Sequence, residues 1–429
     1  MRKILVLMVA MLVVLAALPL FAGGQGEEGD DPEKVVVKAM GYGDNSNQEG
    51  QNWRRIVEAF EEEHPNIDIQ DELLYDEAYH EKVVARLASG DVPHLAYMGA
   101  DARWGLPWQE AGQQVDHRPF MDTDYYDMEL IPPMGPNGEV YEIPLGTSNM
   151  TTVLYMNEAL VEELGFDRPE TYEDIVEMVP EAREAGLEVI SIDGADGWAW
   201  GSCVMSMVIA RMSGDPAWVS KAVEGEHSFT DQEFVDSLAF LTRMVEDGVI
   251  SRSSVLVDYG TNISNYSNRK ALFMVQGQWV AGSIDPAVQE ETVMMAWPEL
   301  PGEKSETANS VAAAIQVGYG ITKAGTEDPA VQDAALEFIR FFNSEPEVTQ
   351  RLRDGAIVAP ILKDYEVPED LPSIVKQKVA MAQSVTYTDV IDAFLSGAPN
   401  DALNAGMQKI VSGDATAEEI AEEVQSLAH

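Results

Sequence analysis

EVYEIPLGTSNMTTVLYMNEALVEELGFDRPETYEDIVEMV, residues 139–179, is the stretch from which the rest of the chain is read. A short apolar segment (Tyr141, Ile143, Leu145) runs into Gly146-Thr147-Ser148-Asn149, and a β-rich run follows over 151–155. Asn157 is placed to cap a helix that Gly165 ends, and Thr171-x-x-Asp174 has the form of a capping box opening the next one. A polar break between two strands, without a tight hairpin turn, suits a crossover from one folding unit to another.

Upstream of this stretch, strand and helix signals alternate. Val35-Val36-Val37 opens a strand, and a polar loop follows over 41–50. A helix over 51–64 carries Trp53, Ile56, Val57 and Phe60 at the spacing of one buried face, and Pro65 ends it. Ile67 and Ile69 alternate as a strand, a helix near 78–89 stops at Gly90, and 95–98 is a third strand. This order predicts a mostly parallel sheet with helical crossovers, hence an α/β fold. Downstream, 151–294 is helix-rich, strand-like runs lie at 293–297 and 312–321, and helices return over 331–342, 347–353 and 403–411. Thr416-x-x-Glu419 reads as the capping box of the last helix.

The 429 residues are enough for two domains with separate cores. Arg2-Lys3, an apolar run over 4–18 and a small residue at Ala22 predict a signal peptide over 1–22, followed by a flexible leader over 23–34. No cysteine lies near that cut, so a periplasmic or extracellular location without lipid attachment is expected. The lone Cys203 sits in an apolar run and reads as a small buried side chain rather than a nucleophile. With 74 acidic against 27 basic residues the formal charge is −47. Such a surface disfavours nucleic acid and anionic lipid, both of which call for Lys/Arg clusters. The acidity fits either a saline habitat or an ordinary acidic exported protein.

The opening stretch resembles the "vYglPlg…lyYNkdlfe..Gl..P.Tw.e" block of the extracellular solute-binding proteins, a family that includes the maltose-binding proteins. FEEEHPNIDIQ (60–70), ARLASGDVPHLAYMG (85–99), SNRKALFMVQGQW (267–279), ELPG (299–302) and the block at 334–360 resemble its other motifs in order and spacing. His94 stands where that family usually has Asp, and Arg269 where it usually has Gly. The resemblance implies a two-lobed periplasmic-binding-protein fold, type II-like, with hinge strands and a cleft between the lobes. Three crossings are expected near 146–149, 293–298 and 321–325. They assign 35–146 with 298–322 to lobe one, and 147–297 with 323–429 to lobe two.

A site for a neutral polyol needs flat aromatic faces together with planar donors and acceptors. Trp198 and Trp200 flank Ala199 in a Gly-rich loop, and on an extended segment both rings would share a face. They are either cleft platforms or a core wedge of lobe two. Trp279 follows Gly277 where the resembled family commonly places an aromatic near ligand. Loops beyond strand C-termini favour Tyr42, Asp44, Asn45 and Asn47, although Asn and Asp there also form turns. Asp101 and Arg103 occupy the position of sugar-contacting charges in the maltose-binding proteins, and Asn149 lies at the first crossing.

No G-x-S-x-G, P-loop or H-E-x-x-H motif occurs, no paired His spacing suggests zinc, and 193–197 fails as a calcium loop at Gly197. No cofactor or metal is expected. The reading is a non-enzymatic, monomeric component of an ABC importer that takes a carbohydrate and meets the permease subunits. The alternatives are a secreted carbohydrate-active hydrolase, a binder of a polyol, glycerol-phosphate ester or polyamine, or an accessory to a membrane sensor.

Overall fold

The computed structural model describes residues 34–45 and 47–428. The expected signal peptide and all of the leader before Lys34 lie outside the described residues. Among the described residues no helix is long and apolar enough to cross a membrane.

Strand β1 (Val35–Tyr42), helix α1 (Gln48–Glu63), β2 (Ile67–Leu74), α2 (Glu77–Ser89) and β3 (Leu95–Met98) follow one another as the periodicity predicts. β1 pairs in parallel with β2, Val35 opposite Ile67, and with β3 on its other side. The helix starts a turn before the expected residue 51. Asn47 Oδ1 accepts the Gly50 N–H at 2.9 Å and the Asp44 N–H at 3.1 Å, so the polar loop itself caps it. Trp53, Ile56 and Phe60 turn inward and are fully buried.

The first sheet continues through β9 (Ser310–Ile321), which runs antiparallel to β3 and to β4 (Ile143–Met150), with β10 (Thr386–Thr388) parallel to its start. The β4–β9 register shifts between Gly146 and Asn149. The second sheet has the order β6 (Glu188–Ser191), β7 (Ala271–Gln276), β5 (Val153–Asn157), β8 (Thr292–Met295). Asn157 caps its helix through the Leu160 N–H at 2.9 Å. Both capping boxes close: Thr171 Oγ1 and Thr416 Oγ1 each accept the third following N–H at 3.2 Å. Arg269 adopts φ 56°, the left-handed region that favours glycine, where the resemblance has Gly. Its guanidinium reaches Glu163 at 2.6 Å and also pairs with Glu291.

The crossings differ from expectation. The register shift in β4 lies where the first was expected, and the chain enters the second sheet at Val153. The second return comes later than 293–298, because β8 belongs to sheet two and Trp297 and Leu300 are buried in its core. Buried Arg211 fixes that passage by donating to the carbonyls of Trp297, Pro298 and Ser310, each at 3.0 Å. Past 321 the chain stays on the first lobe. In the helix Pro329–Phe342, Phe338 packs on Trp53 and Phe60 at centroid distances of 5.3 and 5.1 Å, and Phe342 on Tyr319 at 4.9 Å. Assigning all of 323–429 to lobe two was therefore wrong: an aromatic face built for α1 holds the first part back. The helix Ser373–Ser384 covers the β8 edge, where Gln377 bonds the Thr292 carbonyl and the Met294 N–H at 3.0 Å each. The third crossing lies at β10, after which Ile391, Leu403, Met407 and Val424 join the second core.

Candidate functional site

Between the lobes lies a cavity of about 130 Å³. One wall is built from the ends of the parallel strands: Tyr42 closes β1, Tyr75 and Asp76 follow β2, and Asp101, Arg103 and Trp104 follow β3. Glu49 and Asn52 come from the first turns of α1, Gln316 and Tyr319 from β9. The facing wall carries Asn149, Thr151, Trp198, Ser202, Trp279 and Asp392. Loops beyond strand C-termini are where α/β sheets hold ligands.

The first wall is aromatic. Tyr42 stacks on Tyr97 with centroids 4.7 Å apart and planes 9° from parallel, and it meets Tyr75 at 5.0 Å and Trp104 edge-on at 5.1 Å. Opposite, Trp198 and Trp279 lie 6.2 Å apart at 45°. Gly277 makes room for the second ring: a Cβ there would come within 2.1 Å of Trp279 Cη2.

The charged groups bridge the two walls. Arg103 bonds Glu77 at 2.7 Å and lies 3.8 Å from both Asp76 on its own lobe and Asp392 across the cleft. Beside it, the Ala102 N–H donates to the Ala393 carbonyl at 2.9 Å. Asp101 Oδ1 accepts the Trp104 N–H at 2.7 Å, a turn that aims the loop. Burial, reinforced by Asp392, pushes the Asp101 carboxyl up to about 7. Asp76 is pushed to about 6, chiefly by burial, with Glu77 and Asp196 adding to it and Arg103 opposing.

Six of the eight sequence candidates line this cavity: Tyr42, Asp101, Arg103, Asn149, Trp198 and Trp279. Two do not. Trp200 is fully buried in the second core and donates its indole N–H to the Gly194 carbonyl at 3.0 Å. The segment from Trp198 is helical, not extended, so residues two apart point to opposite sides. Asn45 is exposed in the turn before α1, outside the lining. Asn47 and Asp44 form the turn itself, as the reciprocal bonds between Asn47 Oδ1 and Asp44 N and between Asp44 Oδ1 and Asn47 N show. The sequence reading missed Glu49, Asn52, Tyr75, Asp76, Gln316, Tyr319 and Asp392. Tyr75 and Asp76 were findable, since they directly follow an alternating strand. Asp392 was not, because the third crossing had been placed some sixty residues too early.

Two α/β lobes with a polar, aromatic-walled cavity between them define a solute-binding protein. Residues 43–349 match the bacterial extracellular solute-binding proteins, and the chain belongs to that family. It is 23% identical over 307 residues to the multiple sugar-binding protein of Streptococcus mutans, covering 70% of this chain and 69% of that one. In structure it is similar to a chitin oligosaccharide binding protein, with TM-score 0.79 and 19% identity over 92% of this chain and 98% of that one. It also resembles the maltose-bound MalE3 of T. maritima, with TM-score 0.74 and 18% identity over 92% and 99%.

Proposed function

We propose that the chain captures a mono- or oligosaccharide in the inter-lobe cavity and delivers it to the permease subunits of an ABC importer. The observation that carries this reading is the composition of the cavity: stacked tyrosines and two tryptophans offer flat faces to sugar C–H groups. Asn149, Gln316, Asp76 and Asp101 supply planar polar groups for hydroxyls. The names of the sugar-binding relatives support it. In this reading the protein acts outside the cytoplasm as a monomer and performs no chemistry on its ligand.

The experiment is a thermal-shift screen of the mature protein against sugars, polyols, polyamines and peptides, with a hydrolysis assay alongside. A bound sugar at a hundredfold excess over its dissociation constant stabilises the native state by about 2.7 kcal/mol. Stabilisation by sugars without product release is the expected result. Saturable release of shorter sugars that survives purification identifies a hydrolase, and stabilisation by polyamines alone overturns the sugar reading.

A further inference from the structure

Glu49 is the cavity group whose charge is least accounted for. It lies in the first turn of α1, where it lines the cavity. Among the described residues no Lys, Arg or His stands within ion-pair distance of it: the nearby Arg55 pairs with Glu347, and Arg103 with Glu77. Burial raises its pKa accordingly, as the largest cause. Among the described residues two cations line the cavity, Arg103 and Arg351. Arg103 serves Glu77, Asp76 and Asp392, and Arg351 lies over the Phe342 ring at 4.4 Å and donates to the Phe342 carbonyl. Lys378, whose field does reach Glu49, is fully buried, donates to the Gly355 carbonyl, and is lowered by burial to about 7.

The surroundings of Glu49 are aromatic. Tyr42, Tyr75, Tyr97 and Tyr319 line the same cavity as its carboxylate, and Tyr42 meets Tyr97 and Tyr75 at centroid distances of 4.7 and 5.0 Å. A carboxylate without a counter-ion, set among stacked aromatic faces, is the arrangement that holds an organic cation. The rings attract the cation through their quadrupoles and the carboxylate takes its N–H donors. A neutral hydroxyl offers Glu49 a hydrogen bond and leaves the buried charge uncompensated.

We propose that the sugar taken by this cleft carries a protonated amine, and that Glu49 with Tyr42, Tyr75 and Tyr97 forms its seat. This rests on reading the cavity as a sugar site and adds the charge of the ligand to it.

The test is calorimetric titration of the mature protein with matched sets: glucose, glucosamine and N-acetylglucosamine; galactose and galactosamine; cellobiose, fully deacetylated chitobiose and diacetylchitobiose. The expected result is binding of at least one free-amine member at least tenfold tighter than its neutral and acetylated counterparts. In Glu49→Gln that preference should collapse to near unity while the melting temperature holds, since no ion pair is lost. Should Glu49→Gln fold poorly, Glu49→Ala takes its place. Equal or tighter binding of the neutral or acetylated members overturns the amine seat and leaves the sugar reading intact. So does a preference that survives Glu49→Gln. If no member of any set binds, the amine seat falls, and the sugar reading is then judged by the broader screen.

Discussion

Asp392→Asn should open the cleft. Asp392 Oδ2 stands 3.8 Å from Arg103 Nη1 across the two lobes, with the side chains only 13% and 16% exposed. At an effective dielectric constant of about 20, two unit charges at that distance attract by roughly 4 kcal/mol. That gross figure overstates the latch. Arg103 keeps Glu77 at 2.7 Å and Asp76 at 3.8 Å on its own lobe whether the cleft is open or shut, and closing strips water from Asp392. The net contribution to closure is about 1 kcal/mol, a factor of roughly five in the closed-to-open ratio. The hydrogen bond from Ala102 to Ala393 remains in the variant. Cysteines at Val84 and Leu256, 56% and 80% exposed on opposite lobes, accept a fluorophore pair, and the native Cys203 is buried away from labelling. Single-molecule energy transfer without ligand then reads the ratio directly, free of any contact Asp392 makes with a sugar. A closed fraction that does not change, or grows, in Asp392→Asn refutes the latch.

Other outcomes follow from the same geometry. Gly277→Ala drives a methyl into the Trp279 ring, so sugar affinity should fall by tenfold or more in a titration while circular dichroism stays native. Trp200→Ala empties a fully buried site and leaves the Gly194 carbonyl with the Gln408 amide at 2.8 Å as its remaining side-chain donor among the described residues; urea unfolding should show a loss of about 3–5 kcal/mol, with the affinity of the folded fraction unchanged. Asp193 is fully buried, is raised to about 7 chiefly by burial, and among the described residues has only the amides of Asn262 and Gln276 at 3.0 and 2.9 Å as side-chain donors. A carboxyl whose folded pKa lies above its unfolded value adds stability at low pH that is lost as pH rises through the folded value. Melting temperature should therefore fall between pH 5 and pH 8, and Asp193→Asn should flatten that slope in paired melts.

What could be read in the sequence depended on how local its cause is. The strands and helices of 35–98 follow from periodicity and from breakers such as Pro65 and Gly90, and they appear as expected. Both capping boxes close for the same reason, since four residues suffice to make one. Trp198 and Trp200 show where local reading fails: the pair separates because the chain turns helical after Gly197, which a Gly-rich loop does not announce. The lobe assignment of 329–342 was decided by Trp53 and Phe60, nearly three hundred residues away. Site residues at strand ends were within reach of a positional rule, whereas Glu49 and Asp392 needed the true start of α1 and the true third crossing.

The central claim is that sugar binds between the lobes on the aromatic walls. Its most direct test is a calorimetric titration with malto-, cello-, xylo- and chito-oligosaccharides, acetylated and free, on the mature protein and on the Trp198→Ala/Trp279→Ala double variant. The account predicts one-to-one saturable binding of at least one series to the native protein and its loss in the variant. Heat from no series, or affinity unchanged in the double variant, would contradict it.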